Sequence, residues 1–88
     1  MRRVSFDQVA FEDFNEWASV DKKIYKKIIE LIKAVARDPF QGIGHPEPLK
    51  ANLSGSWSRQ INEKHRLVYK VTDTEIIIES CKYHYGDR

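Results

Sequence analysis

Residues 65–71, His65-Arg66-Leu67-Val68-Tyr69-Lys70-Val71, decide the fold. In an extended chain Leu67, Tyr69 and Val71 fall on one side and Arg66, Val68 and Lys70 on the other, the period-2 pattern of a strand with one face on a core. Runs of similar character flank it at 57–61 and 75–83, set off by the polar turns Asn62-Glu63-Lys64 and Thr72-Asp73-Thr74. Three strands joined by such short turns predict an antiparallel meander.

Upstream, Pro39-Phe40-Gln41-Gly42-Ile43-Gly44-His45-Pro46-Glu47-Pro48 holds three prolines and two glycines and reads as a loop, because neither a helix nor a central strand accepts that composition. Prolines on both sides of Glu47 restrict the backbone there and hold its carboxylate at little entropic cost. Before the loop, Ile24, Ile28, Leu31, Ile32 and Val35 recur at helical spacing, with Ser19 or Asp21 available as the cap and Pro39 as the stop. A first helix is expected over about 8–18 behind a capping Asp7, with Ala10, Phe14 and Trp17 on one face. The short connection implies that the two helices lie antiparallel. Arg3-Val4-Ser5-Phe6 alternates as an opening strand should. The expected architecture is therefore α+β: a short N-terminal strand, two antiparallel helices, then a three-stranded antiparallel meander, in one domain over 1–88. Neither a repeat nor a linker divides the chain.

With 88 residues, 41% of them hydrophobic and 32% charged, the chain falls in the ordinary globular range and supports one modest core. Cys81 is the only cysteine, which excludes an internal disulfide and fits a reducing cytoplasmic setting. The N-terminus becomes polar by Asp7 and lacks the apolar stretch of a signal peptide, so no membrane role is expected. A net charge of +2 does not announce nucleic-acid binding, but the charge is uneven. The second helix carries Lys22, Lys23, Lys26, Lys27 and Lys33 largely off its apolar stripe, as a solvated face does. Residues 45–70 are also basic, with five cations against two carboxylates.

A rigid-loop carboxylate, Glu47, and a histidine at a strand end, His84, are two groups of different proton affinity that can divide acid and base work. Between them in sequence lie Lys50, Arg59 and Arg66, cations able to neutralise a phosphate and its additional transition-state charge. This chemistry suits RNA strand cleavage, in which a base deprotonates a ribose 2′-hydroxyl, the oxygen attacks the adjacent phosphorus, and an acid protonates the departing 5′-oxygen. Each residue also has an ordinary explanation. An exposed glutamate commonly aids solubility, Lys50 and Arg59 fit as solvated charges, and Arg66 fits as a cross-strand partner. Tyr83 and Trp57, which alternates with Arg59 and Ile61, fit the core better than a base-stacking role. Neither a metal site nor a cofactor is expected. His45, His65 and His84 are far apart, Cys81 and His84 form an isolated pair, and Gly42 and Gly44 do not open a phosphate-binding helix. Cys81 in an apolar strand lacks an evident base to activate it.

Several ordered stretches resemble the YoeB toxins of bacterial toxin–antitoxin pairs, within the RelE-like group. They are Asp21-Lys22, Lys26-Lys27-Ile28, Glu30-Leu31-Ile32-Lys33, Pro46-Glu47-Pro48-Leu49-Lys50, Asn52-Leu53-Ser54-Gly55, Trp57-Ser58-Arg59, His65-Arg66-Leu67-Val68-Tyr69 and Tyr83-His84-Tyr85. Together they cover nearly the whole chain. The resemblance implies a RelE-like fold and a ribosome-dependent mRNA endoribonuclease that acts in the A site and inhibits translation. A YefM-like antitoxin and a homodimer are its implied partners. By the same carry-over Glu47 is the general base, His84 the general acid and Arg66 the transition-state clamp, with Lys50, Arg59 and Tyr85 assisting at phosphate or in positioning. Two departures stand out: Gln60 replaces a frequent second arginine, and Gly86-Asp87-Arg88 extends past the usual end. The competing expectations are a non-catalytic inhibitor of the same fold, occupying the ribosome or gyrase, and a DNA-binding protein led by its lysine-rich helix.

Overall fold

The computed structural model describes residues 2–83. Its elements are β1 (Arg3–Phe6), α1 (Gln8–Val20), α2 (Lys22–Arg37), β2 (Glu47–Pro48), a 3-10 turn (Ala51–Leu53), β3 (Ser56–Gln60), β4 (Arg66–Val71) and β5 (Glu75–Ser80). The strands form one sheet in the order β1-β5-β4-β3-β2. The expected meander is its centre, since β3 pairs with β4 and β4 with β5, both antiparallel.

The flanking strands enlarge that picture. β1 lies parallel to β5, with Val4 opposite Ile76 and Phe6 opposite Ile78. The proline-rich loop ends in the two-residue strand β2, which pairs antiparallel with β3 through Glu47 opposite Ser58 and Pro48 opposite Trp57. Proline is acceptable there because β2 is an edge, and one side of its backbone needs no ladder partner. The third meander strand ends at Ser80, short of the expected Tyr83. Beyond it the Cys81 carbonyl accepts from the Trp17 indole at 3.0 Å, and Tyr83 turns to a φ of +62°.

Asp21 alone separates the helices. Its extended backbone stops α1, and its carboxylate accepts from the amides of Lys23 and Ile24, capping α2. Asp7 occupies the cap position of α1 but makes no side-chain cap bond; its carbonyl accepts from Phe11 at 2.9 Å. The helices fold back on each other, so that Phe14 stacks on Tyr25 at 4.9 Å and on Phe6 at 5.3 Å between ring centres.

The helical stripe and the strand alternation meet in one core. Ile28, Leu31 and Val35 from α2, and Ala10 and Trp17 from α1, pack with Leu67, Tyr69, Ile76 and Ile78 from the sheet. Burying an aliphatic side chain of this kind stabilises the fold by roughly 1.5–3 kcal/mol. Both helices therefore cover one sheet face and leave the other without a helix over it. Among the described residues no helix is long and apolar enough to cross a membrane.

Candidate active site

Strand register places the candidate residues. Directly paired residues of antiparallel strands project to the same face, so the pairs Glu47–Ser58, Ser58–Val68 and Gln60–Arg66 put all five side chains on the face away from the helices. Small buried side chains, Ser58 and Val68, form the floor. Glu47, Gln60 and Lys70 are exposed and Arg66 is half-buried around it. Two strand spacings of about 4.8 Å and two residues along β4 separate Glu47 from Arg66 by about 12 Å between α-carbons. A glutamate and an arginine side chain can flank one phosphate group from that distance.

Glu47 also lines a groove of about 280 Å³ with Lys50, Pro48, Leu49 and Leu53, which brings the loop carboxylate and the lysine to one place. A larger open depression, about 880 Å³, lies at the opposite sheet edge among Arg2, Arg3, Asp73, Thr74 and Glu75. It shares no residue with the groups of the candidate site and lies beside β1, at the far end of the strand order.

Arg66 opens β4. Its Nη1 donates to the carbonyls of Asn62 at 2.6 Å, His65 at 3.1 Å and Glu63 at 3.3 Å, which ties the guanidinium to the preceding turn. Its backbone amide donates to the Tyr83 carbonyl at 3.0 Å. The structure thus sets Arg66 beside the residue that immediately precedes His84. His84 and Tyr85 themselves lie outside the described residues, as does the Gly86-Asp87-Arg88 extension.

Arg59 differs from expectation. It alternates with Ser58 and Gln60 and so points to the helix side of the sheet, where it is 0% exposed. Nε donates to the Tyr69 hydroxyl at 3.1 Å, Nη1 to the Ile43 carbonyl at 3.1 Å, and Nη2 to the carbonyls of Asp38 at 2.7 Å and Gln41 at 3.0 Å. Tyr69 in turn donates to the Pro39 carbonyl at 2.7 Å. A guanidinium engaged in this way has neither the exposure nor the orientation to hold a phosphate on the other face. Arg59 and Tyr69 instead hold the 38–43 loop, whose carbonyls would otherwise lack partners.

The glycines of that loop are explained by Arg59 together with Leu31 of α2. Gly44 has a φ of +84°, and a β-carbon there would stand 2.8 Å from Leu31 Cδ2 and 3.1 Å from Arg59 Cβ; Gly42, at +127°, would meet Arg59 Nη1 at 3.1 Å. The loop then continues through His45, itself at a φ of +53°, into Pro46 and Glu47. Gln60 N donates to the Gly44 carbonyl at 2.7 Å, which fixes the loop to β3 just before β2 begins.

With Arg59 removed from the phosphate-facing set, the departure at Gln60 gains weight. Gln60 is opposite Arg66 on the open face, at the position where the resemblance led to the expectation of a second arginine. Here a neutral amide stands there.

His65 was not among the candidates, and its strand-start position gave no signal of a role. It is 7% exposed, meets the Trp17 ring edge-on at 4.9 Å, and accepts from the Tyr83 amide through Nδ1 at 2.7 Å. Burial, and then the charges of Lys64 and Lys82, lower its pKa from the ordinary 6.5. The unfolded chain therefore binds this proton first as pH falls. Stability should be unaffected by His65 above about 6.5 and should decline as pH drops from there toward the lowered value. Melting temperatures of the wild type and His65→Asn measured from pH 8 to 5 check this, and equal acid sensitivity of the two would contradict it. Cys81 is fully buried with its thiol pKa pushed up to about 12 by burial, which leaves it protonated and a poor nucleophile.

Comparison with known proteins agrees with this architecture. The family model described as the YoeB-like toxin of bacterial type II toxin–antitoxin systems matches residues 6–85. The chain is 54% identical over 83 residues to the toxin YoeB of Synechocystis sp., covering 94% of this chain and 96% of that protein. Among solved structures it resembles the YoeB dimer from Staphylococcus aureus, with a TM-score of 0.88 and 52% identity over 96% of this chain and 98% of that one. It also resembles YoeB in the YoeB–YefM complex from Staphylococcus aureus, with a TM-score of 0.87 and 50% identity over 97% of this chain and 99% of that one.

Proposed function

The chain belongs to the YoeB-like toxins of bacterial type II toxin–antitoxin systems, and from that membership we propose that it is an endoribonuclease that cuts messenger RNA in the ribosomal A site and so stops translation. The observation that carries this reading is the register that puts Glu47 and Arg66 on one open sheet face, with Arg66 bonded to the residue before His84.

In the proposed reaction Glu47 removes the proton of a ribose 2′-hydroxyl. The 2′-oxygen forms a bond to the adjacent phosphorus, the bond from phosphorus to the 5′-oxygen breaks, and His84 supplies the proton that the leaving oxygen needs. The products are a 2′,3′-cyclic phosphate and a 5′-hydroxyl. Arg66 faces the charge that accumulates on the phosphoryl oxygens, through Nε and Nη2, while Nη1 anchors it to the turn. Lys50, which shares a groove with Glu47, adds a second positive charge on the loop side. Tyr85 positions the substrate at the chain's end. Since the two side chains supply both proton transfers, the mechanism requires no metal ion.

The charge and the relatives support the setting. With a net charge of only +2 the protein relies on the ribosome to present its RNA, since a free basic surface of this size gives little affinity. A YefM-like antitoxin binds and neutralises it, and the free toxin pairs as a homodimer; the YoeB–YefM complex and the YoeB dimer of Staphylococcus aureus support both partners.

The test uses ribosomes programmed with a defined message. The wild-type protein should cut in the A-site codon and leave a 2′,3′-cyclic phosphate, whereas the same message free of ribosomes should stay largely intact. If the Glu47→Ala, His84→Gln double variant keeps full toxicity and ribosome binding, inhibition arises from occupancy and not from chemistry.

A further inference from the structure

We propose that His65 is a positioning residue: its imidazole fixes the backbone at Tyr83 and thereby sets the point and direction from which His84 starts. The inference rests on the reading of His84 as the general acid.

Tyr83 is held on both sides of its α-carbon by consecutive residues at the start of one strand. Its amide donates to His65 Nδ1 at 2.7 Å, and its carbonyl accepts from the Arg66 amide at 3.0 Å. Between those two bonds lies a φ of +62°, a left-handed conformation that a tyrosine adopts only where its surroundings hold it there. Loss of the His65 bond would remove one of the contacts that hold Tyr83 in this conformation.

His65 is itself held rigidly. Its amide donates to Asn62 Oδ1 at 2.7 Å, its carbonyl accepts from the Ile61 amide at 3.0 Å, and its ring rests edge-on against Trp17, with ring centres 4.9 Å apart. Trp17 anchors the same segment two residues earlier, through its indole bond to the Cys81 carbonyl at 3.0 Å. Trp17 and His65 therefore seat the chain on either side of Lys82, ahead of the acid.

Because an N–H faces Nδ1, that nitrogen must keep its lone pair, so the arrangement exists only with the imidazole neutral. The charged groups around it favour that state. Lys64 flanks it in sequence, Lys82 approaches from the C-terminal segment, and the Arg66 guanidinium donates to the His65 carbonyl at 3.1 Å. A carboxylate on this side, Glu16 of α1, is paired with Lys82 at 3.1 Å. A proton added at Nδ1 would oppose the Tyr83 amide and break the bond.

Two variants separate the acceptor from the bulk of the ring. His65→Asn keeps an acceptor oxygen close to the place of Nδ1, and His65→Leu fills the space without one. Tyr83 amide hydrogen exchange, read by NMR on the full chain, should quicken about tenfold or more in His65→Leu, the order expected for one lost hydrogen bond. His65→Asn should stay close to wild type. Single-turnover cutting on saturating programmed ribosomes should fall by a similar factor in His65→Leu without weaker ribosome binding, and His65→Asn should restore it. In the wild type, Tyr83 protection should fall in step with protonation of the His65 ring as pH drops, and in His65→Asn that pH dependence should vanish.

Unchanged Tyr83 protection in His65→Leu overturns the proposal, as does cutting by His65→Asn as slow as by His65→Leu. Should His65→Leu fail to fold, the wild-type titration decides: protection indifferent to His65 protonation overturns it. A wild-type protein that cuts no message, while Tyr83 behaves as described, overturns the nuclease reading and the catalytic consequence of His65 with it. The hydrogen bond would then stand as structure alone.

Discussion

Replacing His84 with glutamine should slow the cutting of ribosome-bound message by roughly 10²–10⁴-fold, the range that a positioned general acid contributes. Glutamine preserves a hydrogen-bonding side chain but cannot release a proton to the departing 5′-oxygen, so the loss should appear in the chemical step and not in binding. Single-turnover rates at saturating ribosome concentration isolate that step. Glu47→Ala should cause a loss of the same order. The double variant should be little slower than either single one, because residues acting in a single proton-transfer sequence are not additive. A His84→Gln protein that cuts at the wild-type rate would remove His84 from the mechanism and leave Arg66 as the main electrostatic contributor.

Replacing Arg59 with methionine should lower the stability of the fold by roughly 3–5 kcal/mol, the order expected for several buried acceptors losing their donor, although methionine fits a buried position of that length. The guanidinium satisfies three loop carbonyls and the Tyr69 hydroxyl at once. Each buried acceptor left without a partner costs about 1–3 kcal/mol, reduced where water can enter. Arg59→Lys should also fail to restore stability, since a single ammonium lacks the planar fork that reaches Ile43, Asp38 and Gln41 together. For a domain of this size such a change corresponds to a fall of more than about 10 °C in Tm. Urea unfolding measures it directly, and a loss below about 1 kcal/mol would mean that the network adds almost nothing to the fold. The two variants should separate cleanly: His84→Gln inactive and stable, Arg59→Met unstable before any question of activity arises.

Much of this molecule was legible in particular residues. The stripe Ile24, Ile28, Leu31, Ile32 and Val35 fixed α2, and the alternation in 66–71 assigned both faces of β4 correctly, because burial on one side imposes a period that sequence displays. The pairing of β1 with β5 was not legible. It joins strands far apart in the chain, and nothing local records a long-range partner. β2 was hidden for a different reason: two residues with a proline carry almost no strand signal, and only the β3 backbone beside them makes them a strand.

Arg59 shows how a local rule was available but outweighed by residue type. Its alternation with Trp57 and Ile61 already placed it on their face, and both of those side chains pack in or against the core. A positive charge suggested solvent or phosphate instead. What sequence lacked was the cluster of loop carbonyls at Asp38, Gln41 and Ile43 that makes a buried guanidinium tolerable. His65 was missed because its function is carried by a lone pair directed at one backbone amide, and that direction has no counterpart in composition or spacing.

The position of β5 between β1 and β4 has a consequence for how the protein comes into being. β1 finds its sheet partner only when residues 75–80 follow, some seventy residues later in the chain. Until then β1 waits without its ladder and the sheet lacks an inner strand, and closure depends on the slow joining of distant segments. The sheet that bears Glu47 and Arg66 is therefore complete only after β5 has joined both of its neighbours.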